Sequence, residues 1–167
     1  WIKQGLIKAS RTPGGHYRIL EHDLDSFREQ YDMFPRDKGA NRRRVMIVDD
    51  DPDALALMEK ILTDEGFELI KVSNATEVGL KAAQLSPDLI LLDFLMPEIN
   101  GFEVCKALRE NELTRGTPIM AVTCLSKEQD IERIFSCGAD EYLAKPFKVD
   151  QMLEKVRELL GRGRIVE

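Results

Sequence analysis

From residue 45 onward the chain alternates short apolar runs with longer stretches in which apolar side chains recur every three or four positions. Residues 45–48, 68–72, 89–92, 119–122 and 141–143 form five such runs, each of strand length and each followed by a helical pattern. Three of the runs are apolar throughout, which predicts central strands covered on both faces rather than strands with one wet face. Ala54, Leu57, Met58, Ile61 and Leu62 keep helical spacing, as do Val149, Met152, Leu153 and Val156, so each segment offers an apolar stripe to a sheet. Asp51-Pro52 supplies a helix cap followed by a first-turn proline. Strand alternating with helix five times predicts an α/β fold built on a parallel sheet, with helices on both sides.

The first 44 residues lack this alternation. Residues 1–6 read as a helix end passing into a short strand, and Arg11-Thr12-Pro13-Gly14-Gly15-His16 as a tight, hairpin-like loop around its Pro-Gly-Gly core. Asp23 is a candidate cap for a helix opening with Leu24 and Phe27, and beyond Pro35 a polar stretch ending in Arg42-Arg43-Arg44 reads as a linker. Charge divides the chain at the same place. Residues 1–44 hold ten Lys/Arg against six Asp/Glu, whereas residues 45–167 hold fourteen against twenty-four. The basic segment suits a polyanion; the acidic part repels one and can concentrate a divalent cation.

Composition narrows the class. With 43% hydrophobic and 32% charged residues, and no apolar run near the roughly 18 residues of a membrane helix, the chain reads as a cytoplasmic globular protein with no membrane partner. It starts at Trp1 and is expected to be a fragment of a longer protein. Cys105, Cys124 and Cys137 show no metal or disulfide spacing and read as small apolar fillers.

In an open parallel sheet, the loops at the carboxyl ends of the strands form the ligand crevice. The first strand ends in Val48-Asp49-Asp50-Asp51, the third in Leu92-Asp93, the fourth at Thr123 and the fifth at Lys145-Pro146. Converging carboxylates repel unless a cation lies among them, and a hard ion such as Mg²⁺ takes such oxygen ligands. A hydroxyl and an ammonium beside a carboxylate and a metal are the parts that hold a transferring phosphoryl group. Taken singly, each has a bland reading: Asp51 as a helix cap, Thr123 as a β-former, Lys145 as a solvated tip, Asn100-Gly101 and Met96-Pro97 as turn residues.

Together, Val48-Asp49-Asp50, Leu92-Asp93-Phe94-Leu95-Met96-Pro97, Asn100-Gly101, Val122-Thr123 and Tyr142-Leu143-Ala144-Lys145-Pro146-Phe147 resemble a response-regulator receiver over about residues 44–162. The resemblance implies a flavodoxin-like, doubly wound five-stranded sheet of order 2-1-3-4-5. It implies that Asp93 accepts a phosphoryl group from a sensor histidine kinase or phosphotransfer protein. It further implies that Asp50, Asp93 and the backbone carbonyl of Leu95 bind Mg²⁺ directly, with Asp49 acting mainly through bound water. Lys145 would pair with the acceptor and then with phosphoryl oxygens, Thr123 would bind the phosphoryl group, and Tyr142 would turn inward as the switch. A receiver of this kind is not an enzyme acting on a separate substrate, although it can catalyse its own dephosphorylation.

Residues 1–28 resemble the end of a MerR-like or excisionase-like winged helix-turn-helix domain, with Thr12-Pro13-Gly14-Gly15 as the wing. The resemblance implies contact with duplex DNA through Lys8, Arg11, His16, Tyr17 and Arg18, only the tail of the recognition helix being present. The expected organisation is thus a partial DNA-binding domain over 1–28, a linker over 29–43, a receiver over 44–162 and a tail over 163–167. The leading expectation is a phosphorylation-controlled transcription factor, with a homodimer as its candidate assembly; the alternative is a relay or protein-docking receiver without a DNA-binding output.

Overall fold

Five apolar runs become five parallel strands. The computed structural model describes residues 10–11, 17–20, 42–97, 100–161 and 165–166. In chain order these comprise β1 (Ser10–Arg11), β2 (Tyr17–Leu20), β3 (Arg44–Val48), α1 (Pro52–Asp64), β4 (Glu68–Val72), α2 (Val78–Leu85) and β5 (Leu89–Leu92). There follow α3 (Gly101–Glu110), β6 (Ile119–Thr123), α4 (Glu128–Ser136), β7 (Glu141–Ala144), α5 (Val149–Gly161) and β8 (Ile165–Val166). The chain divides into two units, residues 42–160 and residues 1–41 with 161–167.

In the larger unit the strands lie in the order β4-β3-β5-β6-β7, all neighbours parallel, which is the 2-1-3-4-5 arrangement expected from the resemblance. Alternation along each strand sends its side chains to opposite layers. Met46, Val48, Ile90, Leu92, Ile119 and Ala121 pack with residues of α2, α3 and α4, among them Val78, Val104, Leu108 and Ile134. Val45, Ile47, Leu89, Leu91, Met120 and Val122 pack with Met58 and Leu62 of α1 and Met152 and Val156 of α5. Strands β3, β5 and β6 are buried almost throughout, as their unbroken apolar sequences require. A fully buried Leu or Ile contributes about 1.5–3 kcal/mol, so these two layers outweigh any cap or surface ion pair.

Two positions on the expected helical stripes do not pack. Leu57 is 51% exposed and Val149 46% exposed. Helix α1 already buries a full stripe through Met58, Ile61 and Leu62, and Leu57, turned about 90° from its centre, leaves the interface. Val149 is in line with Met152, Leu153 and Val156 but is the first residue of α5, about one turn before the buried stripe begins. Asp51 does cap α1, its carboxylate accepting from the Asp53 backbone N–H. Asn100 likewise proves to be the cap of α3, accepting from Phe102 N at 3.0 Å, so the Asn-Gly pair starts a helix as well as ending a loop.

Arg109, which sequence pattern alone did not single out, ties down the amino ends of the strands. Its guanidinium donates to the carbonyls of Gly138 (2.8 Å), Arg115 (3.0 Å) and Thr117 (2.6 Å) and to the Asp140 carboxylate (2.6 Å). Asp140 in turn accepts from Ile119 N, the first residue of β6. One side chain thereby fixes α3 against the segments that enter β6 and β7.

In the smaller unit, β1 and β2 are antiparallel, with Ser10 opposite Arg18 and Arg11 opposite Tyr17, as expected for a hairpin around the Pro-Gly-Gly loop. The expected tail is not all tail. Ile165 and Val166 form β8, antiparallel to β2 with Ile19 opposite Val166 and Leu20 opposite Ile165. Two β-branched residues carry too little pattern to announce a strand whose partner is at the other end of the chain. The expected helix end over 1–6, the helix after Asp23 and most of the linker lie outside the described residues, as do Lys8 and His16.

A glycine pair tests the packing of α3. A Cβ on Gly101 would sit 2.5 Å from Phe94 Cα and 2.6 Å from the Asp93 carbonyl oxygen, both backbone atoms that cannot swing aside. Gly79, in α2, would meet nothing within 4 Å. Gly101→Ala is expected to destabilise by about 3 kcal/mol through overpacking, and Gly79→Ala to stabilise by about 0.5 kcal/mol through helix propensity. Urea titrations of the two variants check both signs; equal midpoints would refute the close approach.

Candidate functional site

The strand order reverses beside β3. The chain leaves β3 for β4 on one side and returns to β5 on the other, which opens a crevice above the carboxyl ends of β3 and β5. Asp49 and Asp50 follow β3 directly and Asp93 follows β5 directly, so the residues that end the strands are also those that line the crevice. Backbone bonds hold the two ends together: Asp93 N donates to the Val48 carbonyl at 2.9 Å and Asp49 N to the Val72 carbonyl at 3.2 Å.

Asp49 is fully buried and Asp93 is 6% exposed, whereas Asp50 lies open to solvent. One carboxylate oxygen from each of the three can be found within 4.8 Å of the others. The buried pair is held by a fixed set of donors. Asp49 Oδ1 accepts from Asp51 N at 2.9 Å, and Asp93 Oδ1 accepts from Leu95 N at 2.9 Å. Their other oxygens share Lys145, whose Nζ lies 2.5 Å from Asp49 Oδ2 and 2.9 Å from Asp93 Oδ2. The resemblance implies the contact with Asp93; the shorter one with Asp49 comes from the fold.

Electrostatics follow from this geometry. Burial pushes the Asp49 carboxyl above its ordinary value, against the lowering effects of Lys145 and the Asp51 amide, and the negative charge of Asp93 pushes the same way as burial. Burial alone would lower the Lys145 ammonium, but its hydrogen bonds to Asp49 and Asp93 and their charges outweigh that, and the net shift is upward. Three carboxylates thus face one ammonium, leaving an excess of negative charge that a cation can offset. Their donors are all oxygen, and one is solvent-accessible, which fits a hard divalent ion that keeps part of its water shell.

Thr123 ends β6 and is fully buried. Its carbonyl accepts from Lys145 N at 2.9 Å, and its hydroxyl accepts from Leu125 N at 3.4 Å. Tyr142, on β7, is half-buried and donates its phenol O–H to the Leu125 carbonyl at 2.6 Å. Burial, and after it the neighbouring Cys124, raise the phenol above its usual value, so it is a donor at neutral pH. Threonine loop and tyrosine are therefore joined through the backbone of Leu125. Leu95, whose amide holds Asp93, is 53% exposed and pairs with Asn100 in an isolated bridge. Of the residues expected at DNA, Arg11 falls in β1 and Tyr17 and Arg18 in β2.

This arrangement of acids, lysine and threonine accompanies a match of residues 45–157 to the response regulator receiver domain. The chain belongs to that family. It is 41% identical over 119 residues to the DNA-binding dual master transcriptional regulator RpaA of Synechocystis, an alignment covering 71% of this chain and 49% of RpaA. It is 35% identical over 119 residues to the polar-differentiation response regulator DivK of Brucella anthropi, covering 71% of this chain and 97% of DivK. Among solved structures it resembles the receiver domain of a sensor histidine kinase from Pseudomonas aeruginosa, whose active-site cleft coordinates a magnesium ion. The TM-score is 0.67 at 27% identity, over 72% of this chain and 98% of that one. The chain spans about half the length of RpaA and of the DNA-binding mycobacterial regulators it also matches. Among the described residues no helix is long and apolar enough to cross a membrane.

A cation bound only by the folded receiver raises its melting temperature, by about 1.4 kcal/mol of stability at ten times the dissociation constant. Because the Asp50 side chain is exposed, Asp50→Asn is expected to leave the metal-free melt nearly unchanged while removing most of the rise with added Mg²⁺. Thermal melts across a Mg²⁺ titration at constant ionic strength check this; an undiminished rise in the variant would take Asp50 out of the ligand set.

Proposed function

We propose that this receiver is the phosphorylation switch of a two-component response regulator, with Asp93 as its acceptor and transcription as its output. The observation that carries the first half is the pairing of a nearly buried Asp93 carboxylate with Lys145 Nζ at 2.9 Å, inside a group of three acids able to hold a metal. An Asp93 oxygen attacks the phosphorus of a phosphohistidine on a kinase or phosphotransfer protein, the new O–P bond forming as the P–N bond breaks and the imidazole leaves. Leu95 N and Lys145 hold the carboxylate in one orientation before attack, so its rotational freedom is already spent. Mg²⁺, held by Asp50, Asp93 and the Leu95 carbonyl with Asp49 behind a water, would neutralise charge on the phosphoryl oxygens.

Lys145 then turns from the acceptor to the phosphoryl group, and Thr123 gives up its contact with Leu125 N to donate to it. That contact is long, at 3.4 Å, and costs little to break. Since Tyr142 is bonded to the Leu125 carbonyl, a shift of the loop after Thr123 carries the tyrosine with it. Phosphorylation adds about −1.5 to −2 of charge, enough to bias a two-state loop.

The output rests on the N-terminal unit. Its β1–β2 hairpin bears Arg11 and Arg18, residues 1–20 contain four basic residues and no acid, and RpaA is itself a DNA-binding regulator. We assign residues 1–28 to the wing and end of a recognition helix, joined to the receiver through 29–43. A second reading, a relay or docking receiver, is favoured by the match to nearly the whole of DivK, a protein hardly longer than the aligned stretch.

Incubation with a small acyl phosphate and Mg²⁺ is expected to label Asp93 alone, with labelling lost in Asp93→Asn and after chelation. Full labelling of that variant would remove Asp93 as the acceptor. For the output, a chain extended upstream of Trp1 is expected to bind duplex DNA with an affinity that falls steeply with salt, while residues 1–167 bind far more weakly. An extended chain without salt-dependent DNA affinity decides for the relay.

A further inference from the structure

Away from the crevice, the fold brings together two cysteines that lie 32 residues apart in sequence. Cys105 is on α3 and completely buried; Cys137 is the C-terminal cap of α4 and half-buried. The Cys105 thiol donates to the Cys137 carbonyl at 3.4 Å, and the Cys137 thiol donates back into its own helix, to the Ile134 carbonyl at 3.0 Å. The two thiols also sense each other: burial first, and then the Cys137 thiol, push the ionisation of Cys105 far above its usual range. Both side chains belong to one apolar cluster, Cys105 inside it and Cys137 at its margin. Cys124, the third, is exposed and sits beside Thr123.

We propose that Cys105 and Cys137 form a redox-sensitive dithiol, which a hydroperoxide converts to an intramolecular disulfide joining α3 to the end of α4. The order of steps follows from exposure. Cys137 reaches solvent, so its sulfur attacks the terminal peroxide oxygen, becoming a sulfenic acid and releasing water or an alcohol. Cys105 then attacks the oxidised sulfur; the S–S bond forms, the S–O bond breaks, and the oxygen leaves as water with the Cys105 proton. Two thiols are oxidised by two electrons and one peroxide is reduced. Cys105, being buried, takes the second step, in which the sulfenic acid is already a strong electrophile, the departing oxygen takes up the Cys105 proton, and the buried site keeps competing thiols away.

The bond would also restrain α4, whose other end begins just after the loop bearing Thr123 and Leu125. Closing a loop of this length constrains the unfolded chain, and the oxidised form should melt about 5–10 °C higher than the reduced one. The test treats the 167-residue chain with hydrogen peroxide at neutral pH under non-denaturing conditions. Free thiols are then blocked, and intact mass and peptide maps are read before and after reduction.

The expected result is a monomer lighter by two hydrogens, carrying one linked peptide pair that contains Cys105 and Cys137. Cys124→Ser should leave it intact. Cys137→Ser and Cys105→Ala should each abolish it, and in Cys105→Ala the sulfenic acid on Cys137 should become trappable by dimedone. The last readout separates loss of a resolving thiol from loss of fold. Three blocked thiols after treatment, crosslinks confined to Cys124 between two chains, or over-oxidation of Cys137 without a linked pair would each overturn the proposal.

Discussion

Two carboxylates cannot be buried side by side without something positive between them, and most of the larger unit is arranged around that constraint. At 4 Å two unit charges interact by about 4 kcal/mol at an effective dielectric near 20, repulsive between Asp49 and Asp93 and attractive towards Lys145. Lys145 reaches both acids from the end of β7, on the far side of β6, and backbone amides of Asp51 and Leu95 take their remaining oxygens. Removing the lysine would leave uncompensated buried charge, which is costlier than never having buried it. The compensation is nevertheless incomplete, with one ammonium against three acids, and that shortfall makes the pocket receptive to a cation.

The sheet order supplies the convergence. If the strands were wound in simple sequence, β3 and β5 would be separated by β4, and Asp49 would have no route to Asp93. The reversal makes β3 and β5 neighbours in register, with Val48 opposite Leu92, so the next residue of each strand is an aspartate at the same level. Lys145 arrives from β7 by way of Thr123, to whose carbonyl its amide is bonded. Rigid strands, buried on both faces, hold these positions; loops alone could not.

Packing elsewhere serves the same end. The close approach of Gly101 to the backbone of Asp93 and Phe94 holds α3 against the acceptor, while Phe94 and Phe102 meet edge to face at 5.0 Å and Arg133 of α4 lies 4.1 Å over the Phe102 ring. At the opposite ends of the strands Arg109 satisfies three loop carbonyls at once. The acceptor thus sits at one end of a chain of contacts that reaches α4, the helix that follows the threonine loop.

Sequence by itself determined the local chemistry. Unbroken apolar runs fixed β3, β5 and β6 as central strands, because only double coverage tolerates such runs, and Asp51-Pro52 fixed the start of α1. The acids, Thr123 and Lys145 were legible because strand-end position is a one-dimensional property. The order of the strands came from likeness to a family, since pairing between distant segments leaves no periodic trace. What only the tertiary structure decided is which partners meet: Lys145 with Asp49 as well as Asp93, Tyr142 with the Leu125 carbonyl, Arg109 with three loops, Cys105 with Cys137 and β8 with β2. It also turned Leu57 outward. Each of these depends on how helices are rotated and strands ordered, and those are set by the sum of all burial rather than by any one segment's pattern.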